Sequence, residues 1–398
     1  MPATRDAVST LKGYYYQFDF FILKLLQAST DDTVVVMEGI EDVDIKTASE
    51  TTAIQCKYYA GTDYNHSKIA EPIRYMLKGY VSKPAVHLKY KLYGYYKSGS
   101  NKLTLPLTVE FVKKHFLSYT VKGVRHEFHT EEGISDDQIN GFIGNLDINL
   151  NALEYEEQEN AIRQAIRNEF NVRPESTVDY YYNTALGLVR KLCTAPEVAA
   201  RSISKGEFVN ILKNSATDSF DAWFLIKKGR DKYCHLMRSR YFSSYNVSPN
   251  KRFFLIDAKG ATVQQIVKII EQIKNKYSKF GPRIEKPFSP YIYLHHVSDI
   301  DKASVMQTLV EDRIIICDGY SFKGASFDVK VMTESIKHDH RIDIRIIHSL
   351  DELNQIIPLL HGSKEIYQFY MEKAFYERTD SNVVKICISD ITDINAII

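Results

Sequence analysis

Hydrophobic residues are spaced as in a helix at the start of the chain and as in strands directly after it. Between about Val8 and Ala28, apolar side chains recur every three or four positions, which predicts an amphipathic opening helix. The apolar runs Val34 to Ile45 and Ala53 to Tyr59 are separated by a polar turn, which is typical of two successive strands. Ser67 to Lys78 returns to helical spacing, with Pro72 expected in the first turn of that helix.

The next part of the chain has one more strand pattern and then a series of helical patterns. From Ala85 to Tyr96 apolar and polar side chains alternate, as in a half-buried strand. Residues 135–214 are mostly helical in pattern, with amphipathic stretches at Glu156 to Glu169 and Val178 to Leu192. Ser204 to Glu207 fits a capping box at the start of a further helix.

From about Ala222 onward, strand patterns and helix patterns alternate along the chain. In order, these segments are Arg252–Asp257, Ala261–Tyr277, Tyr291–His295, Ile300–Val310, Ile314–Asp318, Ile342–Ile347 and Leu350–Leu360. Such alternation predicts a partly parallel, mixed sheet that is covered by helices. We therefore expect an α/β protein, in which residues 1–130 form a core, 131–215 its helical part and 216–398 a C-terminal α/β domain.

The charge is balanced over the whole chain but uneven along it. The 398 residues carry a net charge of +1 and are 44% hydrophobic, which suits two or three folded domains rather than a strongly basic protein. Between Lys57 and Arg125, however, 13 Lys and Arg residues face 3 Asp and Glu residues, and from Glu131 to Asp179 the ratio is 3 to 12. The basic segment favours contact with a polyanion, although an ordinary solvated face has a similar composition.

Cysteine usage indicates the compartment. The five cysteines are far apart in sequence and form no Cys-x-x-Cys pair: Cys56, Cys193, Cys234, Cys317 and Cys387. Neither a disulfide framework nor a structural zinc site is indicated. With no signal-peptide pattern and no apolar run long enough to cross a bilayer, we expect a cytoplasmic protein that has no membrane partner.

A group of polar side chains in the first two predicted strands has the chemistry of a metal site. Side chains alternate between the faces of a strand, so two sets would share a face: Glu38, Asp42 and Asp44 in the first strand, Gln55 and Lys57 in the second. Magnesium binds to one or two carboxylates, and a neighbouring lysine can orient water or offset charge on a phosphate. By the same alternation, Glu41 would face the other side. The alternative is a solvated sheet face with ion pairs.

Three short motifs resemble a known family: Gly13-Tyr14-Tyr15-Tyr16-Gln17, Glu38-x-x-Glu41-Asp42 and Gln55-x-Lys57-Tyr58. Together they resemble the PD-(D/E)XK, restriction-endonuclease-like, double-stranded DNA nuclease domain of bacterial antiphage defence effectors. The resemblance covers roughly residues 1 to 215, because the segment from Arg201 to Lys205 is similar to the back of that domain. Gln55 stands where the named pattern has an acidic residue, as in one branch of these nucleases.

The resemblance implies roles for individual residues. It implies a catalytic site of Asp42, Gln55, Lys57 and Glu38, in which Mg²⁺ or Mn²⁺ is held by Asp42, Glu38 and Gln55. Supporting roles are expected for Gln17 and for Asp44, which either lines the metal site or is simply solvated. From the basic segment, contacts to double-stranded DNA are expected from Lys68, Arg74, Lys89 and Lys91.

The resemblance also implies a function. We expect a metal-dependent DNA endonuclease that acts as a defence effector, regulated by its C-terminal domain and within a homo-oligomer or hetero-complex. The sequence contains no Gly-x-x-x-x-Gly-Lys-Ser/Thr motif, so any ATPase would be a partner protein. Two alternatives stay open: a catalytically silent nuclease-like module that binds DNA or assists assembly, and a stand-alone effector that senses a nucleotide.

Other clusters in the C-terminal domain have simpler interpretations. His295-His296 with Asp299, and His338-Asp339-His340, resemble metal ligands, but adjacent residues on a strand point to opposite faces. We expect structural or surface roles for both clusters. The turn from Asp318 to Gly324 lacks the spacing of a phosphate loop and is expected to be an ordinary connection.

Overall fold

The computed structural model describes residues 8–82, 88–243, 251–280, 284, 286–322, 324–336, 341–378 and 383–398. They form two compact units, Met1–Ala216 and Thr217–Ile398. Both units combine helices with sheets, so the α/β class expected from the sequence is confirmed.

The first unit contains eight strands and its helices in the following order. The strands are β1 Val34–Met37, β2 Val43–Lys46, β3 Thr51–Tyr59, β4 Leu88–Tyr96, β5 Ser118–Val121, β6 Val124–Glu127, β7 Leu146–Asn149 and β8 Ser202–Ser204. The helices are α1 Val8–Gln27, α2 Ser67–Ser82, α3 Val109–Val112, α4 Phe128–Glu131, α5 Asp136–Ile143, α6 Tyr155–Phe170, α7 Glu175–Cys193 and α8 Lys205–Lys228. Short helical turns lie at Ser100–Lys102, Lys113–Leu117 and Val198–Arg201. The division between the units falls within α8.

Six of these strands form one sheet in the order β7-β4-β3-β2-β1-β8. Strands β1, β2 and β3 form an antiparallel meander, and β4 and β7 continue it in parallel with β3. The register places Val43 opposite Ile54 and Gln55 opposite Leu92. The two remaining strands, β5 and β6, form a separate antiparallel hairpin.

Each face of the six-stranded sheet packs against its own hydrophobic core. One core joins α1, α6 and α7 to the sheet through residues that include Phe20, Ile54 and Ile162. The other joins α2 and α5 to the opposite face through residues that include Ala53, Ile73, Leu92 and Phe142. Fully burying one such large apolar side chain stabilises the fold by roughly 1.5–3 kcal/mol. Because side chains on β3 alternate, Gln55 and Lys57 lie on the same face as Ala53, which is the α2 face.

The first predicted strand is wrong in its middle. The sequence predicted one strand from Val34 to Ile45, but β1 ends at Met37 and residues 38–42 form a turn before β2. The backbone of Glu38 is left-handed, with φ 51°, and its N–H donates to the carbonyl oxygen of Asp42 at 2.9 Å. Strand alternation therefore does not decide where Glu38 and Glu41 point.

The predicted helix cap at Ser204 and the predicted position of Pro72 can be compared with the structure. Ser204 and Glu207 form the expected capping box, since each side chain accepts the backbone N–H of the other residue. Pro72 lies in the second turn of α2, because this helix begins at Ser67. Residues 85–87 of the predicted strand Ala85 to Tyr96 lie outside the described residues.

The second unit is built on a parallel sheet. Its strands are β9 Lys251–Asp257, β10 Tyr291–His295, β11 Ile316–Cys317, β12 Ile344–Ile347, β13 Lys364–Tyr370 and β14 Val383–Cys387. Its helices are α9 Arg230–Met237, α10 Val263–Tyr277, α11 Asp299–Glu311, α12 Val329–Thr333, α13 Leu350–Leu359 and α14 Asp393–Ile397, with a helical turn at Arg238–Phe242. The strand order is β11-β12-β10-β9-β13-β14, and every described strand pair is parallel. Helices cover both faces, with separate cores on each.

The direction of chain connection reverses at β9. The chain passes from β9 to β10 on one side, and later adds β13 on the other side of β9. In parallel sheets, such a reversal opens a crevice outside the carboxyl ends of the two strands.

No helix among the described residues is both long enough and apolar enough to cross a membrane.

One ionisable side chain is buried in the helical core of the first unit. Asp19 of α1 is fully buried, and its Oδ1 accepts the hydroxyl proton of Tyr182 at 2.7 Å. Its Oδ2 has no hydrogen-bond partner among the described residues, and neither has the Oε1 of buried Gln158 on α6. Burial raises the pKa of Asp19 to about 7, although the Tyr182 hydrogen bond opposes that shift. The folded protein therefore keeps this carboxyl protonated well above the pH at which the unfolded chain loses the proton.

The substitution Asp19→Asn should remove one source of pH-dependent stability. In the wild type, the group makes the free energy of unfolding fall as pH rises from about 4 to about 7, because only the folded state retains the proton. The difference between wild type and variant across that window should be on the order of 3 kcal/mol, because one pKa unit corresponds to about 1.4 kcal/mol. Urea unfolding of the full chain at pH 5 and pH 8 measures it. If the free energy of unfolding changed equally with pH in the two proteins, Asp19 would not be the source of the pH dependence.

Candidate active site

The turn between β1 and β2 is held by the carboxylate of Asp44. This side chain is almost completely buried, and its Oδ2 accepts the N–H of Ile40 at 2.6 Å while Oδ1 accepts the N–H of Glu41 at 3.2 Å. A side chain at Gly39 would collide with the same carboxylate, which explains the glycine there. Asp44 is thus buried rather than solvated, and both of its oxygens bind the backbone of the turn.

Asp42 lies at the end of this turn and is bound by two other elements. Its Oδ2 accepts the backbone N–H of Cys56 at 2.8 Å and a hydrogen bond from the side-chain amide of Gln55. The side chain of Gln17, from α1, also hydrogen-bonds to Asp42. Burial raises the pKa of Asp42, and the Cys56 hydrogen bond and the charge of Lys57 lower it in part. The structure thus brings Gln17, Asp42 and Gln55 together, as their predicted roles require.

Two glutamates of the same turn lie close to Asp42. Burial, together with the charges of Asp42 and Asp44, raises the pKa of Glu41 to about 7. Burial also raises the pKa of the more exposed Glu38, with a further contribution from Asp42. Sequence reasoning excluded Glu41 as facing away, but that reasoning assumed a continuous strand where the structure has a turn.

Lys57 supplies positive charge to this group. It is half-buried on β3, and its ammonium group lowers the pKa of Glu38, Glu41 and Asp42. Its partner in the β3–β4 register is Gly94, and the ring of Tyr96, also from β4, lies over that glycine.

Arg201 fixes the start of the turn and was not predicted to act there. Its guanidinium donates to the carbonyl oxygens of Ala195 at 2.7 Å, Pro196 at 2.9 Å and Glu38 at 3.3 Å. Its charge also lowers the pKa of Glu38. The only sequence signal was its place in the Arg201 to Lys205 segment, which gave no role for its side chain.

The residues around Asp42 include oxygen donors of the kind that divalent cations bind. Burial raises the pKa of three carboxyl groups, those of Glu38, Glu41 and Asp42, and the charge of Asp42 contributes to the shifts of the two glutamates. Among the described residues, no group of three or more His, Cys, Asp or Glu side chains is arranged as a metal cluster. Magnesium, however, needs only one or two carboxylates, since water and substrate phosphates complete its shell. Asp42 and Glu38 could provide those carboxylates, and Gln55 an amide oxygen.

Two of the predicted DNA contacts lie on the wrong face of the sheet. In the β3–β4 register, Lys91 pairs with Ile54, so Lys89 and Lys91 lie on the α1 face, opposite Gln55 and Lys57. Both lysines also bind carboxylates, Lys89 that of Glu50 at 2.7 Å and Lys91 that of Asp147 at 2.5 Å. The alternation of charges along β4 gave no information about which face meets the site.

The other two predicted DNA contacts differ from each other. Arg74 donates to the carbonyl oxygen of Phe116 at 2.9 Å and lies 4.3 Å from the ring centre of Tyr119, so it is a packing residue. Lys68 is exposed, 6.0 Å from the ring centre of Tyr59. Exposed Lys97 follows the carboxyl end of β4 and was missed. Neither Lys68 nor Lys97 has an ion-pair partner in the part of the chain that the structure describes.

The C-terminal histidines have structural contacts. His296 Nδ1 lies 2.9 Å from Asp257 Oδ1, and the ring of His295 stacks on Phe375 with centres 4.0 Å apart. Asp299 is exposed and 3.9 Å from Lys302. The cluster His338-Asp339-His340 lies outside the described residues. In the Asp318 to Gly324 turn, Tyr320 donates its hydroxyl proton to Glu352 at 2.7 Å.

Comparisons with known proteins give distant structural matches. No protein-family model matches the chain, and no curated protein does. A solved structure of the Acinetobacter baumannii Cap4 SAVED/CARF-domain containing receptor with the cyclic trinucleotide 2'3'3'-cAAA is 11% identical, with a TM-score of 0.33, over 71% of this chain and 61% of that one. The Moraxella osloensis Cap4 SAVED/CARF-domain containing receptor is 12% identical, with a TM-score of 0.27, over 71% and 64%.

These matches span less than two thirds of the receptor chains. At such TM-scores, the likeness assigns neither a shared fold nor a shared ligand. The candidate site is therefore interpreted from its own geometry.

The substitution Asp44→Asn should destabilise the turn. An asparagine offers one acceptor oxygen where the turn presents two N–H groups, so one buried N–H would face the amide nitrogen. The loss of unfolding free energy should be about 1–3 kcal/mol, as for a buried donor left without an acceptor. Urea unfolding measures it, and Asp32→Asn, at an exposed position before β1, should change stability by no more than about 0.5 kcal/mol. Equal stability of the two variants would show that Asp44 does not hold the turn.

Proposed function

We propose that this chain is a metal-dependent DNA endonuclease and the effector of a prokaryotic antiphage defence system. The observation that carries the proposal is the meeting of Asp42, Gln55 and Lys57 at one end of a β1–β2–β3 meander. Asp42 is bound to the Gln55 side chain and to the Cys56 N–H, and Lys57 acts electrostatically on the same carboxylate. The resemblance of the sequence motifs to PD-(D/E)XK nucleases supports the same activity.

Each residue has a chemical task in phosphodiester hydrolysis. A bound Mg²⁺ or Mn²⁺ would polarise the phosphate and lower the pKa of an attacking water. Asp42 and Glu38 would hold that ion, while the Cys56 N–H keeps the Asp42 carboxylate oriented. The ammonium group of Lys57 would orient the water and offset the negative charge that develops on the phosphoryl oxygens.

The proposed DNA surface lies beside Lys57. Exposed Lys68 and Lys97 follow the carboxyl ends of β3 and β4, the ends toward which Lys57 lies. Lysines without a carboxylate partner are free to neutralise phosphates, which supplies most of the affinity of sequence-independent DNA binding. The proposal therefore keeps Lys68 from the expected contacts and adds Lys97, while Lys89 and Lys91 are left out.

Control of the activity is also part of the proposal. A nuclease that cuts duplex DNA would damage its own host unless it were restrained. From the motif resemblance, we infer that a partner ATPase, together with the second unit, restrains or directs the nuclease. The sequence lacks a phosphate-loop motif, so such an ATPase would be a separate protein. This part rests on the motif resemblance and not on the site geometry.

The substitutions Asp42→Ala and Lys57→Ala should each lower DNA cleavage by at least about a hundredfold, because each removes a group that stabilises the developing charge. Cleavage of supercoiled plasmid and linear duplex with Mg²⁺, alone and with candidate partners, measures the effect. Lys91→Ala is the matched control, because it removes a strand lysine from the opposite face and should leave cleavage unchanged. Equal residual cleavage in all three variants would point to a contaminant and remove the basis for the enzymatic function.

A second candidate function belongs to the second unit, as a sensor of a nucleotide. The observation that favours it is the reversal of connection at β9, where parallel sheets bind ligands. Asp257, at the carboxyl end of β9, accepts the N–H of Met371 at 3.4 Å and is 2.9 Å from His296. The exposed side chain of Lys259 lies beside this crevice and pairs with Glu372 at 2.8 Å. The Lys259 ammonium group and the His296 ring, which each lie beside a carboxylate in this structure, are the groups that would meet an anionic, aromatic ligand there.

Nucleotide binding should raise the thermal stability of the full chain. At a ligand concentration about 100 times Kd, the expected stabilisation is about 2.7 kcal/mol. Thermal unfolding with a panel of linear and cyclic nucleotides measures it, and Lys259→Ala should reduce the shift while Lys227→Ala, at an exposed position on α8, should not. No shift with any member of the panel at millimolar concentration would remove the sensor function.

A further inference from the structure

The hairpin β5–β6 of the first unit has an apolar face that no core covers. Its register pairs Tyr119 with His126 and Val121 with Val124, so these four side chains share one face. The rings of Tyr119 and His126 stack at 5.2 Å. Toward the tip, Val121 is 47% exposed and Val124 is 60% exposed, and neither belongs to a hydrophobic core of the described residues.

The base of the hairpin is fixed and its tip is a tight turn. Arg74 lies over the ring of Tyr119, and His126 Nδ1 is 2.8 Å from the carboxylate of Glu131. At the tip, Lys122 has φ 49° and Gly123 has φ 83°, as a two-residue type I′ turn requires. The two valines therefore lie exposed at the end of a short, ordered hairpin. Exposed valines add little to the stability of an isolated hairpin.

The positive charge at the hairpin tip favours a negatively charged binding partner. Between Thr120 and His126 the hairpin carries two cations, Lys122 and Arg125, and no carboxylate. Arg125 lies 3.4 Å from Glu127, but both side chains are well exposed, so that ion pair is weak. An apolar tip flanked by cations suits a polyanion that presents apolar surface inside a groove.

The attachment of the hairpin relates it to the candidate active site. Arg74, which lies over Tyr119, belongs to α2, and α2 packs on the sheet face to which Gln55 and Lys57 belong. Helix α2 therefore connects the hairpin to the sheet face that carries Lys57. A two-stranded ribbon fits the major groove of B-DNA, where apolar side chains contact thymine methyl groups.

We propose that the hairpin β5–β6 enters a groove of duplex DNA, with Val121 and Val124 against the base edges and Lys122 and Arg125 against the phosphates. This inference rests on the proposed DNA-directed function. It adds a contact that the catalytic residues do not provide and that would hold the duplex during cleavage.

Two double variants separate the two kinds of contact. The full chain with Asp42→Ala, which prevents cleavage, is titrated against a labelled duplex of about 30 base pairs at several salt concentrations. Lys122→Gln with Arg125→Gln should reduce the slope of log K against log salt by about 2, because each phosphate contact contributes about 0.9. Val121→Ser with Val124→Ser should weaken binding about three- to tenfold at every salt concentration and leave the slope unchanged.

The control is Val310→Ser with Val331→Ser, which removes two valines of similar exposure, 59% and 40%, from the second unit. Binding equal to this control in both hairpin variants would assign the tip to another occupant and overturn the inference. If Asp42→Ala still abolished cleavage in that case, the proposed nuclease would stand without the hairpin contact. Conversely, weakened binding by the hairpin variants, together with cleavage that does not depend on Asp42, would support the hairpin and contradict the nuclease.

Discussion

The candidate site depends on one buried carboxylate that binds a turn of backbone. Asp44 accepts the N–H groups of Ile40 and Glu41, and so interrupts what would otherwise be one strand from Val34 to Ile45. Without that interruption, Glu41 would point away from Lys57. With it, the carboxyl groups of Glu38, Glu41 and Asp42 lie near one lysine, and burial raises the pKa of all three. The charge of Asp42 contributes to the shifts of Glu38 and Glu41. Such an arrangement of carboxyl groups is unfavourable by itself and persists only if contacts with the surrounding structure stabilise it.

Two anchors outside the turn supply that support. Asp42 is bound by the Cys56 N–H of β3 and by Gln17 of α1, and both elements are fixed in the core that contains Phe20 and Ile54. Arg201 adds a second anchor through the Glu38 carbonyl oxygen. The free energy of core packing thus maintains an arrangement of charges that a divalent cation could use.

The sequence predicted the shared face of Gln55 and Lys57 but not the turn that precedes their strand. Gln55 and Lys57 lie in a regular strand, so alternation placed them correctly on one face. The turn at Glu38 was not predictable from local pattern, because a left-handed glutamate is disfavoured locally and is held there by the tertiary contacts of Asp44 and Arg201. Lys89 and Lys91 could not be assigned to a face without the β3–β4 register. The parallel order of the second sheet likewise depends on long-range pairing.

The binding of Mn²⁺ is the measurement that tests the central claim most directly. Electron paramagnetic resonance of the full chain counts free and bound Mn²⁺, so the stoichiometry of wild type, Asp42→Ala and Lys91→Ala can be compared without any substrate. We expect one Mn²⁺-binding site that is present in wild type and in Lys91→Ala and is lost in Asp42→Ala. Equal Mn²⁺ binding by wild type and Asp42→Ala, or none by the wild type at millimolar Mn²⁺, would contradict it.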